Sequence, residues 1–182
     1  MTLAGLWLML LVGYGLGRYA EYRIHKKNYD FLMYAGAEEL IPRVMRRFYN
    51  AIFWFIPIGF GEAYWFRTPV TYEILLLGVS LVAVATLLRL WAINSMGRLW
   101  TMRCVFLPGA PVSRKGPFRL MRHPEYVSRV FEGVGLLVVI GSYGSAVAYA
   151  CYCGYLAVSI ANIEHRQLTE LKGEIGEEEP AY

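Results

Sequence analysis

The stretch Tyr126-Val-Ser-Arg-Val-Phe-Glu-Gly-Val-Gly-Leu-Leu-Val-Val-Ile140, then Gly141-Ser-Tyr-Gly-Ser145, then a second apolar run from Ala146 to Ile163, decides the fold class. Two apolar runs joined by a turn-rich break predict a tight helical hairpin. A crossing helix needs about 20 mostly apolar residues. Working toward the amino terminus, runs near that length occur at Tyr72 to Ala92, Phe48 to Phe66 and Thr2 to Tyr19. None of the five alternates with the two-residue period of a barrel strand, and lipid permits only helices or closed barrels. The chain therefore reads as one all-α domain over 1–182, a polytopic transmembrane bundle of about five helices with a carboxyl-terminal hairpin.

Composition agrees with that reading. The 182 residues are 57% hydrophobic, with mean hydropathy +0.37, above the apolar share of soluble domains. The formal charge of +4 is modest and gathers in particular loops, which argues against a nucleic-acid partner. Cys104, Cys151 and Cys153 form neither a disulfide framework nor a zinc pattern and read as packing thiols. Met1 to Leu11 lacks a basic start and a small-residue cleavage site, so the first run is expected to stay as an anchor.

Lys and Arg set the orientation. Arg18, Arg23, Lys26, Lys27, Arg43, Arg46 and Arg47 follow the first run, and Arg98, Arg103, Arg114, Lys115, Arg119 and Arg122 follow the third. Both basic loops are expected inside, with the amino terminus outside, the carboxyl terminus inside, and Arg67-Thr-Pro-Val-Thr71 facing out. Trp54, Trp65, Trp91 and Trp100, near predicted helix ends, read as interfacial anchors. The tail from Gly173 to Tyr182 is acidic and reads as a solvated, frayed end.

The chemistry is sought in the loops. In Lys115-Gly-Pro-Phe-Arg-Leu-Met-Arg-His-Pro-Glu-Tyr126 a Gly-Pro turn leads through basic residues to a proline suited to the first turn of a helix. Free backbone N–H groups there, with Arg122 and His123, suit a carboxylate. The same residues also fit a plain positive-inside loop. Deeper in that run, Arg129 and Glu132 lie one turn apart, with Glu125 four residues before Arg129. Buried intramembrane charges either pair structurally or mark a site. Arg89, near the inner end of the third run, reads as an anchor whose head snorkels to the interface. Asn162-Ile-Glu-His-Arg-Gln167 places Glu164 and His165 on the same side as His123, where Glu164 suits a ribose or amine and His165 a hydrogen bond or proton transfer. His25, His123 and His165 have no metal-ligand spacing. No Walker loop or serine nucleophile elbow is present. Gly13-Tyr-Gly-Leu-Gly17 and Gly133-Val-Gly135 read as close helix packing.

Gly116-Pro-Phe…Arg122-His-Pro-Glu-Tyr126, followed by Glu164 at the end of a hydrophobic hairpin, resembles the isoprenylcysteine carboxyl methyltransferase family. Arg89-Leu-Trp-Ala-Ile-Asn-Ser-Met-Gly97, Trp100-Thr101 and, more loosely, Asn28 to Tyr49 with Gly36-Ala-Glu-Glu39 are similar to the bacterial branch found beside type III polyketide synthases, which methylates hydroxyls of alkylpyrones or alkylresorcinols. The resemblance covers Asn28 to Leu168. It implies S-adenosylmethionine as cofactor, held by Gly116, Pro117, Arg122, His123, Pro124, Tyr126, Glu164 and His165. It also implies a lipophilic or prenylated acceptor arriving sideways from membrane lipid. His165 stands where the family has a second glutamate, and Phe118 where it more often has tyrosine.

Methyl transfer from a sulfonium is an in-line displacement that chiefly needs alignment and exclusion of water. Glu132 or His123 is expected to orient or deprotonate an acceptor hydroxyl, with Arg129 pairing with Glu132 or steadying the oxyanion. Two alternatives stand beside this. One is an NADPH-dependent membrane reductase of the sterol-reductase type; the other is a non-catalytic membrane scaffold.

Overall fold

The computed structural model of the chain describes residues 3–40, 42–109 and 115–175. Arg114 and the end of the acidic tail, 176–182, lie outside the described residues. The order is α1 (Leu3–Tyr34), β1 (Glu38–Glu39), α2 (Pro42–Phe66), α3 (Tyr72–Met96), a 3-10 turn (Gly97–Leu99), β2 (Val105–Phe106), a second 3-10 turn (Gly116–Arg119), α4 (Pro124–Ile140) and α5 (Tyr143–Ile175). The all-α class holds. Tyr72–Leu99 and Tyr143–Gln167 are the two segments among the described residues that are long and apolar enough to cross a membrane. The other three helices carry ionisable residues within their apolar runs: Arg18 in α1, Glu62 in α2, Arg129 and Glu132 in α4.

Two boundaries differ from expectation. The first run does not end near Tyr19 in a basic loop; α1 continues through Arg23, Lys26 and Lys27 to Tyr34. Residues 20–34 contain neither glycine nor proline, so nothing in them breaks the helix; Gly36 at φ 87° ends the turn that follows. The predicted break at 141–145 shrinks to Gly141 and Ser142, with Gly141 left-handed at φ 87°. Glu62 of α2 receives the first turn of α5, its Oε1 accepting from Gly144 N–H at 2.8 Å and its Oε2 from Ser145 N–H at 2.7 Å. That carboxylate satisfies donors a helix start leaves open.

Packing follows the small residues where they meet backbone. A Cβ on Gly135 would lie 2.9 Å from the Gly78 carbonyl, and one on Gly78 would lie 3.0 Å from the Gly135 carbonyl. The α3 and α4 backbones therefore touch, as small residues allow in lipid. A Cβ on Gly133 would collide with the Tyr149 ring at 2.2 Å. Gly13, Gly15 and Gly17 behave differently: each has open space at the Cβ position, so the expected close packing at that motif is corrected. Phe48, Ile52, Tyr126, Leu137, Tyr149, Cys153 and Ile160 form the core between α2, α4 and α5. Leu8, Val12, Phe53, Ile58, Leu77, Val84, Leu87, Val147 and Val158 face outward.

Candidate functional site

The loop before α4 folds onto the last turn of α3. Gly116 adopts φ 58°, and a Cβ there would fall 2.0 Å from Ser95 Oγ and 3.0 Å from Trp91 Nε1. Pro117, fully buried, follows at the start of the 3-10 turn. These two residues shape the approach to α4, which opens with His123 as N-cap and Pro124 in the first turn. The N-cap side chain makes no capping bond, so the first N–H groups of α4 remain available to an acceptor.

The beginning of α4 and the end of α5 meet at this point. Tyr126 Oη donates to Glu164 Oε2 at 3.3 Å, and His123 Nδ1 lies 3.9 Å from the same oxygen. The His123 and Tyr126 rings stack, with centroids 5.1 Å apart and 6° between planes. Arg122 Nη2 is 3.3 Å from His165 Nδ1. Of the residues singled out in the sequence, His123, Tyr126 and Glu164 form one cluster, Arg122 and His165 a contact at its edge, and Pro124 the helix start beneath.

Burial, with the Arg122 charge second, lowers the pKa of His123 to about 4, so the ring is neutral at pH 7 and the 3.9 Å approach to Glu164 is not an ion pair. Burial, and then the neighbouring Glu164 carboxylate, push the Cys104 thiol up. Cys104 thus stays a thiol at the edge of this cluster, a place its spacing did not reveal. Gln167, one turn beyond Glu164, also escaped the sequence reading; its buried Oε1 has no hydrogen-bond partner. The acceptor oxygens of Glu164 on α5 thus face Tyr126 and His123 at the start of α4, with Arg122 beside His165.

A second group lies deeper along α4, and here the sequence pairing is corrected. Arg129 does not pair with Glu132: its Nη2 is 3.8 Å from Glu21 Oε2, and its guanidinium sits 4.1 Å above the Tyr49 ring. Glu132 is held by Arg89, through Nη2 to Oε1 at 2.6 Å and through Nη1 to Oε2, with Thr86 Oγ1 at 3.4 Å and Arg18 Nη1 at 3.9 Å. Arg89 does not snorkel. It is 1% exposed and also donates from Nε to Glu21 Oε1 at 2.7 Å. Glu21 in turn pairs with Arg18. Arg18 and Glu21 lie where the apolar pattern predicts the end of a span and a loop, so no local signal marks them as site residues; α1 continues through both.

Trp100 is likewise buried, 1% exposed, and donates from Nε1 to Glu125 Oε2 at 2.6 Å, so it is not an interfacial anchor. Trp54 and Trp65 are largely exposed and Trp91 half so. Among the described residues no group of three His, Cys, Asp or Glu gathers as a metal site.

Residues 76–170 match the model of the isoprenylcysteine carboxyl methyltransferase (ICMT) family. The uncharacterized protein YpbQ of Bacillus subtilis (strain 168) is 25% identical over 95 residues, which span 52% of this chain and 56% of that protein. No solved structure matches the chain.

Proposed function

The chain belongs to the isoprenylcysteine carboxyl methyltransferase family, and from that premise we propose that it is an integral membrane enzyme, five helices crossing the bilayer, that methylates an oxygen of a lipophilic acceptor at the cytoplasmic face. The observation that carries this reading is the meeting of His123 and Tyr126 with Glu164 across the two ends of the α4–α5 pair.

The residues there fit S-adenosylmethionine. Arg122 and the open N–H groups of α4 suit its carboxylate, while Glu164 and the unpartnered Gln167 Oε1 suit hydroxyl or amine donors. When bound, the cofactor supplies a methyl group on a positive sulfur, open to displacement by a nucleophile. Gly116 and Pro117 fix the loop, Pro124 starts the helix, and His165 steadies Arg122. The buried Tyr126 ring and the His123 ring stacked on it form an aromatic wall at this place.

The two proton acceptors are both weak. His123 is depressed to about 4, and both oxygens of Glu132 already accept from Arg89. This favours an acceptor that is already ionised, a carboxylate or an acidic hydroxyl, over one needing a strong base. Arg129 adds positive charge beside the oxyanion, and Glu132 positions Arg89. The acceptor's apolar tail stays in lipid.

The test is transfer of labelled methyl from S-adenosylmethionine into the lipid fraction by the full chain in nanodiscs. Label in a lipophilic product, lost in Glu164→Gln, is the expected result; NADPH-dependent reduction without label would overturn the reading in favour of a reductase.

A further inference from the structure

The buried group formed by Arg18 and Glu21 of α1, Arg89 of α3, and Arg129 and Glu132 of α4 holds three guanidiniums against two carboxylates. Arg89 saturates its reach, bonding to both acids. Arg18 does not: its Nε and Nη1 are buried with no hydrogen-bond partner, and Nη1 stops 3.9 Å short of Glu132. Glu21, 4% exposed, leaves its Oε2 without a hydrogen bond, 3.8 Å from Arg129. Polar atoms buried this way are costly unless something pairs with them. Glu125, a further acid on α4, accepts from Trp100 Nε1. Further polar neighbours are Thr86, which donates to Glu132, Tyr49 beneath Arg129, and Tyr14, whose ring centroid is 5.3 Å from the Arg18 guanidinium.

From this imbalance we infer that the cluster is the receptor for the acceptor's head group and takes a single negative oxygen, with Arg18 the cation that receives it. The inference deepens the reading above and rests on it only for the methyl donor. Arg129 stands three residues beyond Tyr126 on α4, about 4.5 Å along the axis, so the cluster lies next to the proposed cofactor cleft. Arg18 and Glu21 lie outside the residues 76–170 that match the family.

A chemical consequence follows. Transfer forms one O–C bond and breaks one S–C bond, whose electron pair stays on sulfur, so an acceptor that enters as an anion leaves neutral and no proton moves. The product has lost the charge that Arg18 holds. The cluster therefore discriminates substrate from product and favours release.

A para-dodecyl ortho-nitrophenol tests this, because its colour reports its ionisation whether or not methyl is transferred. In nanodiscs carrying the full chain, the bound probe should titrate about one pH unit lower than in empty nanodiscs, a tenfold preference for the anion. The shift should vanish in Arg18→Gln and persist in Arg18→Lys. With the wild-type chain alone, the probe's methyl ether should compete at least about tenfold less well than the phenolate. Identical titration in loaded and empty nanodiscs, a full shift in Arg18→Gln, or equal competition by the ether overturns the inference. A shift in a chain that fails to bind S-adenosylmethionine would keep the head-group receptor and remove the methyltransferase reading instead.

Discussion

Replacing Arg89 by Met should be among the most damaging single changes to the fold. Arg89 is 1% exposed and supplies three hydrogen bonds, from Nε to Glu21 and from both terminal nitrogens to Glu132. A hydrogen bond to a charged group contributes about 1.5–3 kcal/mol, so the gross loss is roughly 4.5–9 kcal/mol. Part of this is recovered, because Arg18 already touches Glu21 and stands 3.9 Å from Glu132. The net cost should fall near the ~3–5 kcal/mol typical of breaking one side of a buried pair. For a chain of this size that lowers the unfolding temperature by roughly 6–20 °C. Arg18→Met makes the contrast: it leaves two arginines facing two glutamates and removes a single hydrogen bond to Glu21, so it should cost no more than about 1.5–3 kcal/mol. Both variants would be followed by thermal unfolding in the same nanodiscs. If Arg89→Met melts within about 2 °C of the parent, or if Arg18→Met costs as much, the charge accounting of the cluster is wrong.

Glycine substitutions separate contact from open space. Gly135→Ala sets a methyl 2.9 Å from a backbone carbonyl and should destabilise by about 1–3 kcal/mol, whereas Gly15→Ala, with nothing within 4 Å, should stabilise by up to ~1 kcal/mol; the same thermal assay reads both. Gln167→Ala should weaken S-adenosylmethionine binding by roughly tenfold, since it removes a hydrogen bond worth about 1–1.5 kcal/mol, as isothermal titration will measure. Stability should also rise with pH between about 4 and 6.5: His123 is neutral in the folded chain down to about 4, while the unfolded chain binds the proton from about 6.5 downward. His123→Gln should flatten that limb, and an unchanged pH slope would show that the ring is not held neutral.

The parts legible from sequence were those that depend on local pattern. The apolar runs announced helices, the Gly-Ser break announced the turn at Gly141, and the proline after His123 announced where α4 starts. The pairing of that start with Glu164 was legible because both lie at ends of adjacent helices joined by a short turn. What pattern does not carry is which helix face meets which. Arg89 looked like an anchor because its position along α3 is near an end, yet its face meets α1 and α4. Arg129 and Glu132 share a helix face, but each finds a better-placed partner on another helix: Glu21 for Arg129, Arg89 for Glu132. Glu21 joined the cluster only because α1 runs on past Tyr19. The two-residue strands, pairing Glu38 with Phe106 and Glu39 with Val105, are too short to leave a periodic signal. Trp100 is fixed inward by Glu125, a partner 25 residues away that no window reading connects.

The proposed activity requires one cleft where the start of α4 and the end of α5 hold a nucleoside together. Equilibrium binding of S-adenosylmethionine to the purified full chain in nanodiscs tests it most directly. Saturable binding at one site, weakened about tenfold or more by Glu164→Gln and by His123→Ala while NADPH fails to compete, is the predicted result. Binding that survives both substitutions unchanged, or no binding beside clear affinity for NADPH, would contradict it.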